Sequence, residues 1–204
     1  LYGRPAPMAQ ITDIAERAGV AVVEDCAQSF GAAYAGDCAG CGAEMKKYAK
    51  YFKDDLEYSK KAERFSSRSY GLSEYLKKHG LRDLPQHDAP EMTVTYQDAC
   101  HLCHGQNVCN QPREILKENP LVAFTELENA SDCCGSAGIY NITHAETSQK
   151  ILEGKMERVK NSGAAILAVE NPGCLEAGTR TFGVDVQVLH TSQILEKAYS
   201  KQTR

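Results

Sequence analysis

Apolar positions change their spacing several times along this chain, and each change marks an expected element. Over residues 8–18 they recur at helical spacing, Gly19 stops that helix, and residues 20–23 are a short buried strand. From 44 to 79 the pattern is charged and helical. Tyr48, Tyr51, Phe52, Leu56, Tyr58, Phe65, Leu72, Tyr75 and Leu76 are expected to face a core there. Residues 80–90, with Pro85, Pro90 and few apolar side chains, have the composition of a linker. Beyond it, strands and helices alternate. Residues 92–96 form a strand running into a cysteine loop, and Gln111, Pro112, Arg113 and Glu114 open a helix with proline in its first turn. Residues 121–127 form a second strand. Thr143 and Glu146 make a capping-box pattern for a helix that buries Ile151, Leu152, Met156 and Val159 and ends near Ser162 and Gly163. Residues 165–169 and 186–189 are further strands, and a last helix begins at Thr191.

That alternation predicts an α/β fold, a mostly parallel sheet with helices on both faces. In such sheets ligands sit outside the carboxyl ends of the strands. Every cysteine loop of this half follows a strand: Cys100 after 92–96, Cys133 and Cys134 after 121–127, and Cys174 after 165–169. One sheet edge is therefore expected to gather four thiolates. Three units follow: residues 1–37, a mainly helical stretch 38–90, and the cysteine-bearing α/β unit 91–204.

Charge and composition narrow the chemistry. A net charge of -4 in 204 residues provides no basic stripe for nucleic acid. No apolar run approaches the roughly 18 residues that span a bilayer, so any membrane contact would be peripheral. The chain starts at Leu1 and shows no basic-then-apolar leader. It reads as a fragment or a processed piece without a secretory signal, and is expected to be cytoplasmic. Nine cysteines are an odd count, and in a reducing compartment clustered cysteines more often bind metal than pair.

Soft sulfur matches iron, and four cysteines suffice for a [4Fe-4S] cluster; Cys100, Cys133, Cys134 and Cys174 meet that number. Gly135 is expected to turn the backbone so that both sulfurs of the adjacent pair face one site. The small residues Gly135, Ser136, Ala137 and Gly138 would let backbone N–H groups approach the sulfurs. Cys103 is a candidate fifth or substitute thiolate. Zinc suits the same tetrahedral sulfur set. A separate zinc site from Cys38, Cys41, Cys100 and Cys103 is disfavoured by the long separation of its two halves. His101 and His104 read as loop hydrogen-bonders, and Cys109 and Cys26 as bystanders.

Three separated motifs carry a family resemblance. Asp98-Ala99-Cys100-His101-Leu102 with Gly105, Gln106 and Gln111-Pro112-Arg113-Glu114 resembles the second cysteine-rich (CCG) repeat of glycolate oxidase iron-sulfur subunits. So do Cys133-Cys134-Gly135-Ser136-Ala137-Gly138-Ile139-Tyr140-Asn141 and Asn171-Pro172-Gly173-Cys174. The same repeat occurs in lactate-utilisation proteins and in heterodisulfide reductases. The resemblance covers about residues 70–197. It implies an electron-transfer module rather than a catalytic chain, taking electrons from a flavin-containing 2-hydroxy acid dehydrogenase subunit. Cys38-Ala39-Gly40-Cys41-Gly42-Ala43 resembles the closing motif of a first repeat, which makes 38–90 a remnant of it and Cys38 and Cys41 further candidate ligands.

Residues 1–37 carry a second resemblance, to DegT-type sugar aminotransferases, on Leu1-Tyr2-Gly3 and on the run from Val22 through Glu24, Asp25, Cys26 and Gln28 to Gly36. That family implies an aspartate at Asp25 facing the pyridine nitrogen of pyridoxal phosphate and a glutamine at Gln28 lining the cofactor. A Schiff-base lysine in a matching context is missing, so transamination is not expected. The alternatives to electron transfer are a zinc-binding or metal-free interaction module and a non-functional chimera. No glycine-rich flavin-binding loop is evident, so the chain alone is not expected to oxidise glycolate or lactate.

Overall fold

The computed structural model describes residues 39–81, 84, 90–136, 140–171, 179 and 181–200. The expected helix 8–18 and strand 20–23, the linker at 82–83 and 85–89, and Cys26, Cys38 and Cys174 lie outside the described residues.

Four strands, β1 (Met92–Gln97), β2 (Val122–Phe124), β3 (Ile166–Val169) and β4 (Gln187–His190), make one sheet in the order β2-β1-β3-β4. Every pairing is parallel: Val94 lies opposite Phe124 and Ile166, and Ala168 opposite Tyr96 and Leu189. Parallel strands need covered faces, and the two-residue period sorts the side chains accordingly. On one face Val94, Tyr96, Ile166, Ala168 and Leu189 pack with Leu116 of the helix Gln111–Glu118 and Ile194 of the helix Thr191–Ser200. On the other, Leu167 and Val169 pack with Met156 and Val159 of the helix Ala145–Asn161. The α/β architecture with helices on both faces is therefore observed. Among the described residues no helix is long and apolar enough to cross a membrane.

In chain order the helices are α1 (Ala39–Lys46), α2 (Tyr48–Tyr51), α3 (Ser59–Ser66), α4 (Leu72–His79), α5 (Cys100–Gln106), α6 (Gln111–Glu118), α7 (Tyr140–Thr143), α8 (Ala145–Asn161) and α9 (Thr191–Ser200). α6 carries Pro112 in its first turn, where a missing N–H costs nothing. β2 is shorter than the expected 121–127. Thr125 makes the last ladder contact, donating its N–H to the Val94 carbonyl, before the chain leaves for the cysteine loop. The capping box at Thr143 does not form: α8 starts after His144 with no side-chain cap, and Thr143 instead ends α7. Tyr140 and His144 stack there with ring centroids 4.4 Å apart. Ile151 is 40% exposed. It lies about one 100° step off the stripe formed by Leu152, Met156 and Val159.

Residues 39–81 form short helices as expected, but their aromatic side chains do not make the core. Tyr51, Leu56, Tyr58 and Tyr75 are exposed, and Tyr48, Phe52, Phe65, Leu72 and Leu76 are half-buried. Mostly small residues take the inward positions instead: Ala39, Gly42, Ala43 and Ala62 are buried, together with Met45. Small side chains let α1 lie close on α5, where Gln106 Nε2 donates to the Ala39 carbonyl at 2.8 Å and a Cβ on Gly42 would meet that same nitrogen at 2.7 Å. The displaced aromatics pack on one another, with Tyr48 stacked on Phe65 at 5.4 Å between centroids. A second tie joins this segment to the sheet: Ser73 Oγ of α4 donates to Glu170 Oε1 at 2.6 Å, just beyond β3.

Candidate metal centre at the carboxyl edge of the sheet

The strand order places a topological switch between β1 and β3, because the chain leaves β1 towards β2 and returns to β3 on the other side. In open parallel sheets the loops diverge at such a point, at the carboxyl ends of the strands. β1 ends at Gln97, and Cys100 opens α5 three residues later, on a helix rather than in the loop expected for it. The segment after β2 returns to the same edge. Gln97 Nε2 donates to the Asp132 carbonyl at 3.1 Å, and the Asp98 N–H donates to the Ala130 carbonyl at 3.2 Å. These two bonds bring Cys133 and Cys134 beside Cys100.

Partial desolvation pushes the Cys100 thiol up from its usual range, and Cys133 and Cys134 push it further, Cys133 also through a side-chain hydrogen bond. Burial and the two neighbouring thiols favour the neutral form of Cys100, so a bound cation, which favours the ligating thiolate, would stabilise it there. Cys133 is exposed, whereas Cys134 is buried with Leu127, Ala130 and Met156. Gly135 permits that divergence: its φ is +87°, and its N–H donates to Cys133 Sγ at 3.3 Å. A Cβ at this position would lie 2.5 Å from the Ser148 carbonyl oxygen. Ser148 Oγ in turn donates to the Gly135 carbonyl at 2.8 Å, locking the turn onto α8.

Among the described residues no three His, Cys, Asp or Glu side chains close into a metal-holding group. What fits a sulfur-ligated iron centre is the chemistry of the donors: three neighbouring soft thiols, with a backbone N–H on one sulfur. Cys174 lies outside the described residues. Cys103, the candidate fifth or substitute thiolate, is joined in this structure to Cys109 by a disulfide. Asn107, at the left-handed φ of 58°, turns the chain back after α5 and closes the six-residue spacing. Cys41 keeps its thiol and sits on α1, packed against α5.

The motif residues Asp98 and Arg113 hold this edge together, a role that sequence reasoning missed. Arg113 grips Asp98 with two bonds, Nη1 to Oδ1 at 2.7 Å and Nη2 to Oδ2 at 3.0 Å, and lies over the Tyr96 ring at 5.0 Å. Its Nη1 also donates to the Cys109 carbonyl at 2.8 Å. Desolvation alone would push the guanidinium down, but the hydrogen bonds to Asp98 and Glu126 reverse this and hold it above its ordinary range. Removing one partner strands a largely buried charge. Asp98→Ala should cost about 3 kcal/mol in urea denaturation, whereas Glu126→Gln, at the half-exposed end of the same arginine, should cost about 1 kcal/mol or less. Equal costs would remove the clamp.

These features define a parallel α/β domain that presents cysteine thiols where its strand order reverses. Residues 94–177 match the family model described as "Cysteine-rich domain" (CCG). It is similar to the probable glycolate oxidase iron-sulfur subunit of Bacillus subtilis, 37% identical over 169 residues, which cover 80% of this chain and 38% of that one. It is also similar to lactate utilization protein A of Oceanobacillus iheyensis, 30% identical over 76% of this chain and 64% of that one. The glycolate oxidase iron-sulfur subunit of Escherichia coli is 28% identical, over 80% of this chain and 39% of that one. This chain thus spans less than two thirds of the length of these three relatives. Residues 1–51 match the DegT/DnrJ/EryC1/StrS aminotransferase family, so the second resemblance holds and runs past Asp37.

Proposed function

We propose that this chain is an iron-sulfur, electron-carrying module of a 2-hydroxy acid oxidase assembly of the glycolate or lactate type. Cys100, Cys133, Cys134 and Cys174 would hold a [4Fe-4S] cluster, which when bound supplies a one-electron carrier between a flavin-containing dehydrogenase subunit and an acceptor. What supports this is the placement of Cys100 at the start of α5, beside the segment before Cys133 and Cys134 that Gln97 and Asp98 tie to the same carboxyl edge. The names of the similar proteins support the assembly and the iron-sulfur chemistry. The chain's own residues do three things in this reading. The cysteines bind, Gly135 orients Cys133 by its N–H, and the Asp98–Arg113 clamp keeps α5 and the Cys133 loop at one edge. Exposed Cys100 and Cys133 put that edge within reach of a partner. A cytoplasmic location, where thiols are kept reduced, suits this reading.

Protein purified without oxygen should carry about four irons per chain and a broad thiolate-to-iron absorption band at the blue end of the visible. Colourless protein with stoichiometric zinc would establish the zinc-binding module instead. Neither metal would leave a metal-free interaction domain.

A further inference from the structure

Lys155 is wholly buried in the middle of α8, on the stripe that also carries Leu152, Met156 and Val159. An ammonium in such a place needs a partner that justifies its desolvation. Its Nζ donates to the Asn129 carbonyl at 2.7 Å, and that carbonyl also accepts the Asp132 N–H at 3.0 Å. Asn129 takes the left-handed φ of 49°, so the lysine ties down a strained corner of the segment leading to Cys133 and Cys134. Burial pushes the Lys155 ammonium down from the usual lysine range, while Asp132, Cys134 and Asp98 favour its charged form and Arg158 opposes it. Arg158 is itself paired with Asp132, at 2.9 Å. The positive charge inside the domain therefore stands in the field of the buried cysteine.

We propose that Lys155 is a positioning residue for the iron-sulfur site, holding the Asn129–Cys134 segment and placing a buried positive charge that raises the reduction potential of the centre ligated there. The inference rests on the iron-sulfur reading above. A thiolate-bound cluster gains one negative charge when it takes up one electron, and a nearby cation favours that reduced form. Water screens this charge little, because the lysine has no exposed surface. The surface cation Lys160, farther along the same helix, lacks both burial and that placement.

The test is an anaerobic redox titration of wild type, Lys155→Met, Lys155→Arg and Lys160→Met, with iron content and circular dichroism measured on each. Lys155→Met should lower the ratio of reduced to oxidised centre about tenfold at the wild-type midpoint, which for one electron is a shift of about 59 mV to lower potential. Lys155→Arg and Lys160→Met should stay within about threefold of wild type in that ratio. An iron-loaded Lys155→Met protein with the wild-type midpoint overturns the inference and leaves the iron-sulfur reading intact. Wild type without iron overturns the reading and this inference with it. If Lys155→Met loses its iron, Lys155→Arg decides. Iron with the wild-type midpoint in the arginine variant supports the charge, whereas loss of iron there too, or a shifted midpoint, makes the residue a folding element and overturns the proposal.

Discussion

Replacing Cys133 or Cys134 with serine should strip the iron from anaerobically purified protein, while Cys103→Ser leaves it in place. A hydroxyl is a harder and far less acidic ligand than a thiol, so one serine removes a corner of a four-sulfur set. Cys133 is exposed and its replacement should leave the fold unchanged; Cys134 is buried against Ala130 and Met156, so its serine variant should also lose about 1 kcal/mol of stability. Cys103 is joined to Cys109, and its loss frees one thiol without altering Cys100, Cys133 or Cys134. Iron counted per chain, beside circular dichroism to show folded protein, reads the difference. Equal iron in the Cys133 and Cys103 variants would remove the adjacent pair from the site.

Gly135→Val should lower both iron content and stability. Position 135 sits at φ +87°, where a non-glycine residue is strained by about 1–3 kcal/mol before any contact is counted. Contact then adds to it, because the new Cβ would lie 2.5 Å from a backbone oxygen of α8, which cannot swing away as a flexible side chain would. The turn would have to open, moving its N–H off Cys133 Sγ and Ser148 Oγ off the Gly135 carbonyl. Gly154→Ala is the matched control: nothing lies within 4 Å of the added methyl, and the helix should gain about 0.5–1 kcal/mol. A Gly135→Val protein with wild-type iron and wild-type urea midpoint would reduce the residue to an ordinary turn glycine.

Strand and helix periods were legible wherever the pattern is set by neighbours two, three or four residues away. β1, β3, β4, α6 and α9 stand within a residue or two of their expected places. The placement of Cys100, Cys133 and Cys134 at strand ends was legible for the same reason: it needs only the order of elements and the rule that ligands gather at carboxyl edges. Expectations failed where a long-range contact outweighed the local pattern. The aromatics of 44–79 read as core, yet close packing of α1 on α5 selects alanine and glycine there and leaves Tyr51, Leu56 and Tyr58 outside. Thr143 read as a helix cap, but the stacking of Tyr140 on His144 takes that turn into a helix of its own. The Cys103–Cys109 disulfide was not legible, because nothing local shows that a left-handed Asn107 folds Cys109 back onto Cys103.

By itself the sequence determined the α/β class, the CCG motifs and which thiols follow which strand, since these depend on residue type and short spacing. Tertiary structure alone decided which distant groups meet. It set Arg113 on Asp98, Ser73 on Glu170 across 97 residues, and Lys155 beneath the loop that carries Cys134. A lysine on an apolar helical stripe is visible in the sequence as a break in pattern. Its meaning is not, because the carbonyl that receives it and the thiol that shares its field belong to a loop positioned by the sheet.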